Sequence, residues 1–559
     1  MIKKFLTKEN IVNLSVFAVI LLIAAVVRFA FINKPDGLWY DELVMYNQAV
    51  QPNLKSVLFT ALTEDVHMPL YQVLLHCWAK IFSFSDFSLR SFSAFWGILT
   101  VILGFFIGKS LKSNLTGFIT MGIFALNSFL IYYSQEVRMY ELLAFLSAFN
   151  LLCLIKVYQN KFQNKWYFLW IISAFGLIVT YTISILYVII EVAGYLIFKL
   201  IEKDFDKKFL ISSVLLFLLN SPIIFYLLHN RQKFSGYVTG IYSDWSSLFV
   251  AVENFFSPRL VGLETNPVHY FAGFLMNFDL SSFLFVLVPV FIAVFCIFIA
   301  VKSSKFSRLL LVISMLFLAV EVAAYYFTDF KILSRYLIII LPNLLVILGS
   351  VVADKKQKLA IILISIFLLI NFGYLICSKD SAFKLSRTGF LPLVKLLEEN
   401  NIKDNDIIIV WNRKEVLSKY LDKKVFVFSI LKDFAYKSEF VLDNESELQK
   451  LDEKGKKEFL KDYFASKTVP FNTLFLLRLM YSGMSEGQKI MITAYDFFDA
   501  YSQNEFLRIV DNNKDYNNMS YNNLITIKSL LDLRFICDKN LKYIGAVKKS
   551  PFVIYIYEK

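Results

Sequence analysis

Apolar runs about as long as a bilayer is thick recur between residues 11 and 377. A transmembrane helix needs about 20 predominantly apolar residues. The sequence offers eleven runs of roughly that length, at residues 11–32, 89–108, 117–133, 142–158, 166–181, 183–200, 209–228, 281–301, 309–327, 335–352 and 359–377. Charged residues make up 18% of the chain, against about 25% in typical soluble domains. The pattern predicts a polytopic α-helical membrane protein.

Short clusters of Lys and Arg follow every second apolar run, and a further cluster precedes the first run. Because loops rich in Lys and Arg stay in the cytoplasm, we expect the N-terminus and these loops to be cytoplasmic. The alternate loops and the segment after residue 377 are then extracytoplasmic, and the expected location is the cell membrane. The clusters also account for the net charge of +13. The sequence shows no basic stripe with interleaved aromatic residues, so it gives no indication of a nucleic-acid partner.

Two segments outside the apolar runs have a character of their own. The long first outer loop, residues 33–88, contains two stretches at 40–50 and 69–83 that are predicted to lie in the membrane interface as short helices. After residue 377 charged residues become frequent, and the periodic pattern of apolar and polar residues is typical of a soluble domain. We therefore expect a membrane domain over residues 1–377 and a small extracytoplasmic α/β domain over 378–559.

The expected strands of the α/β domain are short apolar or alternating stretches bounded by polar turns. They lie at residues 406–410, 424–430, 489–493, 541–547 and 552–558, with helices ending near residue 400 and covering 413–421 and 524–533. The highly charged segment 444–467 is expected to be a solvated helix or a mobile stretch.

Asp41 and Glu42 are adjacent carboxylates just beyond the first apolar run. Taken alone, such a pair is more typical of solvated acids at a helix N-terminus. A carboxylate in a partly desolvated site can instead accept the proton of an attacking hydroxyl, because burial raises its pKa. The two interpretations stay open on this pair alone.

Two arginines fall at the same predicted face of the membrane as these acids. Arg138 follows the third apolar run among tyrosines, and Arg335 begins the tenth. Each arginine alone is typical of a side chain reaching from the membrane to the interface. Together with the acids, the arginines suggest a site for a phosphate, because cations stabilise the charge that develops on a departing phosphate oxygen.

Five short motifs, in this order along the chain, resemble the GT-C glycosyltransferases. They are Trp39-Tyr40-Asp41-Glu42, His67-Met68-Pro69-Leu70-Tyr71, Phe87-Ser88-Leu89-Arg90, Tyr133-Ser134-Gln135-Glu136-Val137-Arg138-Met139-Tyr140, and Arg335-Tyr336-Leu337 with Pro342. The resemblance is strongest to the bacterial branch related to the dolichyl-phosphate-mannose mannosyltransferases, which includes protein O-mannosyltransferases and the lipid A aminoarabinose transferase. It implies a GT-C fold, a polyprenyl-phosphate-linked sugar donor, an extracytoplasmic active site and inversion at the anomeric carbon.

The resemblance also implies roles for residues at the matching positions. Asp41 is expected to be the catalytic carboxylate with Glu42 beside it, and Arg138 and Arg335 are expected to contact the donor phosphate. The side chains expected to line the cavity or contact the acceptor are Tyr40, His67, Pro69, Tyr71, Tyr133, Gln135, Glu136, Tyr140, Tyr336 and His269.

The sequence departs from the family pattern at two places. Met68 stands where the family often has the first of two prolines, and Tyr181-Thr182-Ile183 lacks the His of a Tyr-Thr-His-like element. No cofactor is indicated. A divalent metal stays an alternative, although four His residues offer few ligands and the five scattered Cys residues have no metal-site spacing.

The sequence therefore predicts an integral membrane glycosyltransferase. It would move a hexosyl or pentosyl group from a polyprenyl-phosphate donor to a hydroxyl of an envelope protein, lipid or glycan. One alternative is a lipid or solute transporter or flippase, which would use charges inside the spans, such as Glu191 and Glu321. The other alternative is a membrane-anchored binding or assembly protein whose α/β domain does the work.

Overall fold

The computed structural model describes residues 8–64, 67–159, 163–229, 247–260, 280–327, 333–353, 357–387, 389–410, 415–421, 423–429, 484–495, 521–549 and 552–559. The chain divides into two compact units. The first comprises Met1–Lys34 and Asp41–Ser386, and the second comprises Pro35–Tyr40 and Arg387–Lys559. The second unit thus includes a six-residue segment from the loop after the first helix.

Helices build the first unit. They are α1 Lys8–Phe29, α2 Tyr40–Ala49, α3 Leu54–Glu64, α4 Leu70–Ile81, α5 Asp86–Leu111, α6 Asn114–Leu126, α7 Ser128–Tyr133, α8 Tyr140–Gln159, α9 Asn164–Thr180, α10 Ser184–Ile201, α11 Lys207–Leu219, α12 Ser221–His229, α13 Ser247–Phe256, α14 Val288–Ser303, α15 Lys305–Phe327, α16 Leu341–Ser350 and α17 Gln357–Cys377. A short helix Leu280–Ser282 and a π-helical turn Phe283–Leu287 lead into α14. The 3₁₀ turns Ser334–Ile340 and Val351–Ala353 flank α16.

Among the described residues, seven helices are long and apolar enough to cross a membrane: α1, α5, α8, α10, α14 with its π-helical turn, α15 and α17. The pair α11 and α12, bent by 50°, adds an eighth if it forms one span. The remaining predicted runs form a helix broken at Asn127, the 17-residue helix α9, and a 3₁₀ turn followed by α16. The protein is a multi-pass helical membrane protein, and the count of eleven spans stays a prediction.

The break between α6 and α7 shows how the fold satisfies backbone groups away from water. Asn127 ends α6, and its side chain accepts a hydrogen bond from the N–H of Leu130 in α7. The fully buried guanidinium of Arg28 in α1 donates to the carbonyls of Phe124 and Ala125, at 3.2 and 3.1 Å. An unsatisfied carbonyl in hydrocarbon costs several kcal/mol, so Arg28 stabilises the open end of α6.

The loop after α1 forms three short helices, α2, α3 and α4. The predicted interfacial stretches 40–50 and 69–83 correspond to α2 and α4, whereas α3 was not predicted. Pro69 immediately precedes α4 and occupies its N-cap position. A proline at the start of a helix sacrifices no intrahelical hydrogen bond, because the first N–H groups have no partner within the helix.

A five-stranded mixed sheet forms the second unit, with strand order β2-β1-β3-β5-β4. The strands are β1 Ile407–Val410, β2 Phe426–Ser429, β3 Lys489–Tyr495, β4 Lys542–Lys549 and β5 Phe552–Glu558, and the helices are α18 Leu391–Glu399, α19 Glu415–Tyr420 and α20 Tyr521–Asn540. Strand β1 runs parallel to β2 and β3, and β5 runs antiparallel to β3 and β4. The five predicted strands are confirmed, and residues 444–467 lie outside the described residues.

Candidate active site

Asp41 lies between two arginines that come from distant parts of the chain. Its carboxylate oxygen Oδ2 is 3.9 Å from a guanidinium nitrogen of Arg138 and 3.7 Å from one of Arg335. Arg138 also donates to the backbone carbonyl of Asp41 at 3.4 Å. The Asp41 side chain keeps 22% of its surface exposed, whereas the two arginine side chains are 7% and 13% exposed. The structure thus joins the predicted carboxylate to both predicted phosphate contacts.

Asp41, Arg138 and Arg335 all lie at or near the ends of helices. Asp41 is the second residue of α2, and Arg335 lies in the 3₁₀ turn before α16. Arg138 lies between α7 and α8 in a tight turn, where its N–H donates to the carbonyl of Glu136 at 2.8 Å. Each charged group therefore sits at or near a helix end, where backbone N–H and C=O groups are not all used by the helix.

Aromatic rings surround the arginines. The guanidinium carbon of Arg138 is 5.6 Å from the ring centre of Tyr140, and that of Arg335 is 5.7 Å from Tyr336. Tyr140 packs edge-on against Tyr133, with ring centres 4.9 Å apart. Rings within about 6 Å of a cation stabilise it through their negative faces. The predicted residues Tyr133, Tyr140 and Tyr336 therefore belong to one cluster with the arginines.

Tyr181 joins His67 to this cluster. Its ring centre is 5.0 Å from that of His67, 5.9 Å from Tyr336 and 6.3 Å from Tyr140. The Nε2 of His67 lies 3.4 Å from a guanidinium nitrogen of Arg138. His67 is thus a polar neighbour of Arg138, and its role as a cavity residue stays a prediction. Tyr181 belongs to the same cluster, and the sequence did not predict it as a site residue.

Glu42 has a different environment from Asp41. It is fully buried and forms a two-point ion pair with Arg90, at 2.9 and 2.6 Å. The same carboxylate accepts the N–H of Val137 at 2.9 Å, and Arg90 also donates to the carbonyl of Ile32 at 3.2 Å. Sequence reasoning placed Glu42 with Asp41 as catalytic. Its contacts instead tie α2 to α5 and to the turn that carries Arg138.

Gln135 is also used by the fold. Its amide nitrogen donates to the carbonyls of Val27, Arg28 and Ala30 at the end of α1, at 3.2, 3.1 and 2.8 Å. Its amide oxygen accepts a hydrogen bond from Lys34 at 2.8 Å. Gln135 therefore caps the end of α1 and fixes the turn that carries Arg138, rather than facing an open cavity.

The other predicted site residues are placed as follows. Glu136 is buried one residue after Gln135, and Tyr40 is the half-buried first residue of α2. Tyr71 is fully buried, with its hydroxyl 3.1 Å from that of Ser93 in α5, so it packs within the helices instead of lining an open surface. His269 lies outside the described residues. Among the residues that are described, no three of His, Cys, Asp or Glu gather as metal ligands would.

Lys34 is a further residue beside the site that the sequence did not indicate. Its ammonium donates to Gln135 and to the carbonyl of Phe383, both at 2.8 Å. Burial, followed by the positive charge of Arg90, lowers the pKa of Lys34 to about 7, and Glu42 and Glu136 oppose this shift. A single lysine beyond an apolar run gives no sequence signal of this environment.

Breaking the Glu42–Arg90 pair tests its structural role. Arg90→Met leaves Glu42 as an unpaired buried charge, so we expect the free energy of unfolding to fall by about 3–5 kcal/mol. Thermal and denaturant unfolding of the purified protein in detergent would measure the change. The double variant Glu42→Gln/Arg90→Met should recover part of the loss, because a glutamine oxygen can still accept the N–H of Val137.

The control for this variant is an exposed ion pair. Lys549 and Glu399 lie 3.1 Å apart with side chains 58% and 57% exposed, and exposed pairs contribute about 0–1 kcal/mol. Lys549→Met should therefore change stability little. If Arg90→Met is no more destabilising than Lys549→Met, the buried pair does not hold the site together.

Lys34 generates a pH prediction. Between its folded pKa of about 7 and its unfolded value of 10.5, the unfolded chain binds more protons at this site than the folded chain. Its contribution to stability therefore increases as pH rises from about 7 to 10.5, by up to about 1.4 kcal/mol per pH unit. Relative to wild type, Lys34→Met should lose this rise, measured as unfolding temperature against pH. The exposed Lys55→Met is the control, and identical pH profiles for wild type and Lys34→Met would contradict the shift.

Comparison with known proteins adds two similarities. Residues 66–233 match the family model of dolichyl-phosphate-mannose-protein mannosyltransferases. This segment contains His67, Arg138 and Tyr181 but neither Asp41 nor Arg335. No curated protein sequence matches the chain.

The second similarity covers the whole fold. The crystal structure of ArnT from Cupriavidus metallidurans in the apo state aligns with a TM-score of 0.55 at 10% identity, covering 97% of each chain. The structure of the same enzyme bound to undecaprenyl phosphate aligns with a TM-score of 0.56 at 10% identity, again over 97% of each chain. The expected resemblance is confirmed: the chain is a multi-pass membrane protein with the fold of the GT-C glycosyltransferases.

Proposed function

We propose that this protein is an inverting membrane glycosyltransferase. It transfers a sugar from a polyprenyl-phosphate donor to a hydroxyl group of an envelope protein, lipid or glycan, at the outer face of the cell membrane. The observation that carries the proposal is the position of Asp41. Its carboxylate is 3.7 Å from the guanidinium group of Arg335 and 3.9 Å from that of Arg138. One carboxylate and two cations are what this reaction requires.

Charge and chemistry support a phosphate-linked donor. Guanidinium groups bind phosphate through charge-assisted hydrogen bonds, and Arg138 and Arg335 are held in place by Tyr140 and Tyr336. The match to a dolichyl-phosphate-mannose-dependent family and the likeness to ArnT with bound undecaprenyl phosphate favour a lipid phosphate over a free one. The donor phosphate would lie against both arginines.

In the proposed reaction, the acceptor hydroxyl attacks the anomeric carbon from the side opposite the phosphate. A bond forms between the acceptor oxygen and the anomeric carbon, and the bond from that carbon to the phosphate oxygen breaks. Asp41 takes the hydroxyl proton, and the bonding electrons leave with the polyprenyl phosphate, whose charge the two arginines stabilise. A single displacement inverts the configuration at the anomeric carbon.

Donor binding would itself prepare Asp41 for this role. The Asp41 carboxylate lies within 4 Å of both arginines, and nearby cations favour the charged form of a carboxylate. A phosphate entering between the arginines competes for the same guanidinium groups. The carboxylate then loses part of its stabilisation and becomes a stronger proton acceptor, so that Asp41 gains basicity when the donor is bound.

The basic clusters after alternate apolar runs support the proposed orientation. If these clusters lie in the cytoplasm, Asp41 and the C-terminal domain lie outside it and the N-terminus lies inside. A donor carried by a polyprenol and an acceptor in the envelope meet on that side of the membrane.

Asp41→Asn tests the function directly. Mass spectrometry of envelope glycans, glycoproteins and lipids from cells with and without the gene should show a mass difference that identifies the sugar and the acceptor class. Wild type should restore the modification in the deletion strain, and Asp41→Asn at equal membrane abundance should restore it at a rate at least about 100-fold lower, because a positioned base contributes about 10²–10⁴-fold.

Asp380→Asn makes the same chemical change at an exposed position and should behave as wild type. Restoration by Asp41→Asn at the wild-type rate would refute the role of Asp41. Absence of any mass difference between the two strains, when the wild-type protein is present in the membrane, would refute the transfer reaction itself.

A further inference from the structure

The six residues that precede Asp41 belong to the second unit of the protein. Pro35–Tyr40 groups with Arg387–Lys559, although the residues on both sides of this segment belong to the first unit. Two backbone groups of the segment have partners in the C-terminal part of the chain. The N–H of Leu38 donates to the hydroxyl of Tyr420 at 2.8 Å, and the carbonyl of Asp36 accepts the N–H of Leu391 at 3.1 Å.

Two glycines allow this close approach. Gly37 has a positive φ of 72°, and a side chain there would meet the Tyr420 hydroxyl at 2.9 Å. A Cβ atom on Gly389 would overlap the backbone carbonyl of Asp36. Backbone cannot move aside as a flexible side chain can, so any larger residue at position 389 must displace the segment that contains Asp36.

An aromatic contact adds to the two hydrogen bonds. The guanidinium carbon of Arg387 lies 3.9 Å from the ring centre of Trp39, a distance at which a cation and an aromatic face attract each other. Leu38 is fully buried within the same segment. The segment is therefore held at positions 36, 38 and 39 by Leu391, Tyr420 and Arg387, respectively.

The held residues end at Trp39, two positions before Asp41. Tyr40 begins α2, and Asp41 is its second residue. The backbone of residues 37–39 sets the direction in which α2 starts. Peptide planes are rigid, so only the φ and ψ angles of these residues relate one plane to the next. A shift of the segment would therefore move the Asp41 carboxylate relative to the atoms it serves.

We propose that Tyr420 and Gly389 are positioning residues for Asp41. They hold the Asp36–Trp39 backbone, so that α2 starts with the Asp41 carboxylate aligned for proton transfer. This inference rests on the proposed function of Asp41. Both residues act through the Asp36–Trp39 backbone, and neither needs to touch the donor or the acceptor.

Two substitutions test the proposal in the full-length protein. Tyr420→Phe removes one hydrogen-bond acceptor, and we expect the transfer rate to fall about fivefold, the equivalent of one ordinary hydrogen bond. Gly389→Ala displaces the backbone of Asp36, and we expect a fall of about 100-fold, as for a catalytic group misplaced by about 1 Å. Rates would be measured as the accumulation of the envelope modification per amount of membrane protein.

Two further measurements separate positioning from folding. Binding of undecaprenyl phosphate to the purified variants should stay within about twofold of wild type, because Arg138 and Arg335 are unchanged. Hydrogen–deuterium exchange of the peptide containing Leu38 should become faster in Tyr420→Phe, while strands β3 and β5 stay as protected as in wild type. Tyr543→Phe and Gly373→Ala are matched controls, since Tyr543 is exposed and a Cβ at Gly373 meets no atom within 4 Å.

The outcomes distinguish this inference from the proposed function. If Asp41→Asn abolishes transfer while Tyr420→Phe and Gly389→Ala transfer at the control rates, the positioning role is refuted and the function of Asp41 stands. If Asp41→Asn transfers normally, both are refuted. If Gly389→Ala loses undecaprenyl phosphate binding through misfolding, Tyr420→Phe decides: faster exchange at Leu38 with an unchanged transfer rate refutes the role, and with a reduced rate supports it.

Discussion

The buried ion pair between Glu42 and Arg90 is the interaction on which the geometry of the site depends. Its carboxylate holds α5 through Arg90 and the Arg138 turn through the N–H of Val137. Asp41 precedes Glu42 and Arg138 follows Val137, so one buried carboxylate ties together the two chain segments that carry the proposed base and a proposed phosphate contact. Two buried charges are stable here because each is paired and hydrogen-bonded. Breaking the pair would therefore disturb both structure and chemistry.

Side chains also satisfy the backbone groups at the helix ends where α1 meets the Arg138 turn. Arg28 supplies donors for the end of α6, and Gln135 supplies donors for the end of α1. Open helix ends inside a membrane protein need such partners, since neither water nor lipid can replace them there. Gln135, from the motif Tyr133–Tyr140, thus stabilises the fold and also fixes the turn that carries Arg138. This explains how a charged, polar turn can be fully packed and still present Arg138 to Asp41.

Much of this arrangement could be predicted from the sequence. The apolar runs predicted the helical class, and short apolar or alternating stretches predicted the five strands. The shared membrane face and the family resemblance predicted that Asp41, Arg138 and Arg335 belong to one site. What could not be predicted depends on neighbours far along the chain. Glu42 looks equivalent to Asp41 until Arg90, 48 residues later, takes up its charge. The break at Asn127 was hidden because hydropathy does not record where a helix stops, and the pKa of Lys34 depends on burial that composition cannot show.

The different pairing of the two adjacent acids bears on the proposed donor site. Glu42 is matched to one arginine at hydrogen-bond distance, whereas Asp41 is shared between two arginines at 3.7 and 3.9 Å. The side chains of Arg138 and Arg335 are largely removed from water, at 7% and 13% exposed. A phosphate group brings several acceptor oxygens and can face both guanidinium groups at once. In the proposed function, a donor phosphate would therefore lie against both arginines, and the Asp41 carboxylate beside it would accept the proton of the acceptor.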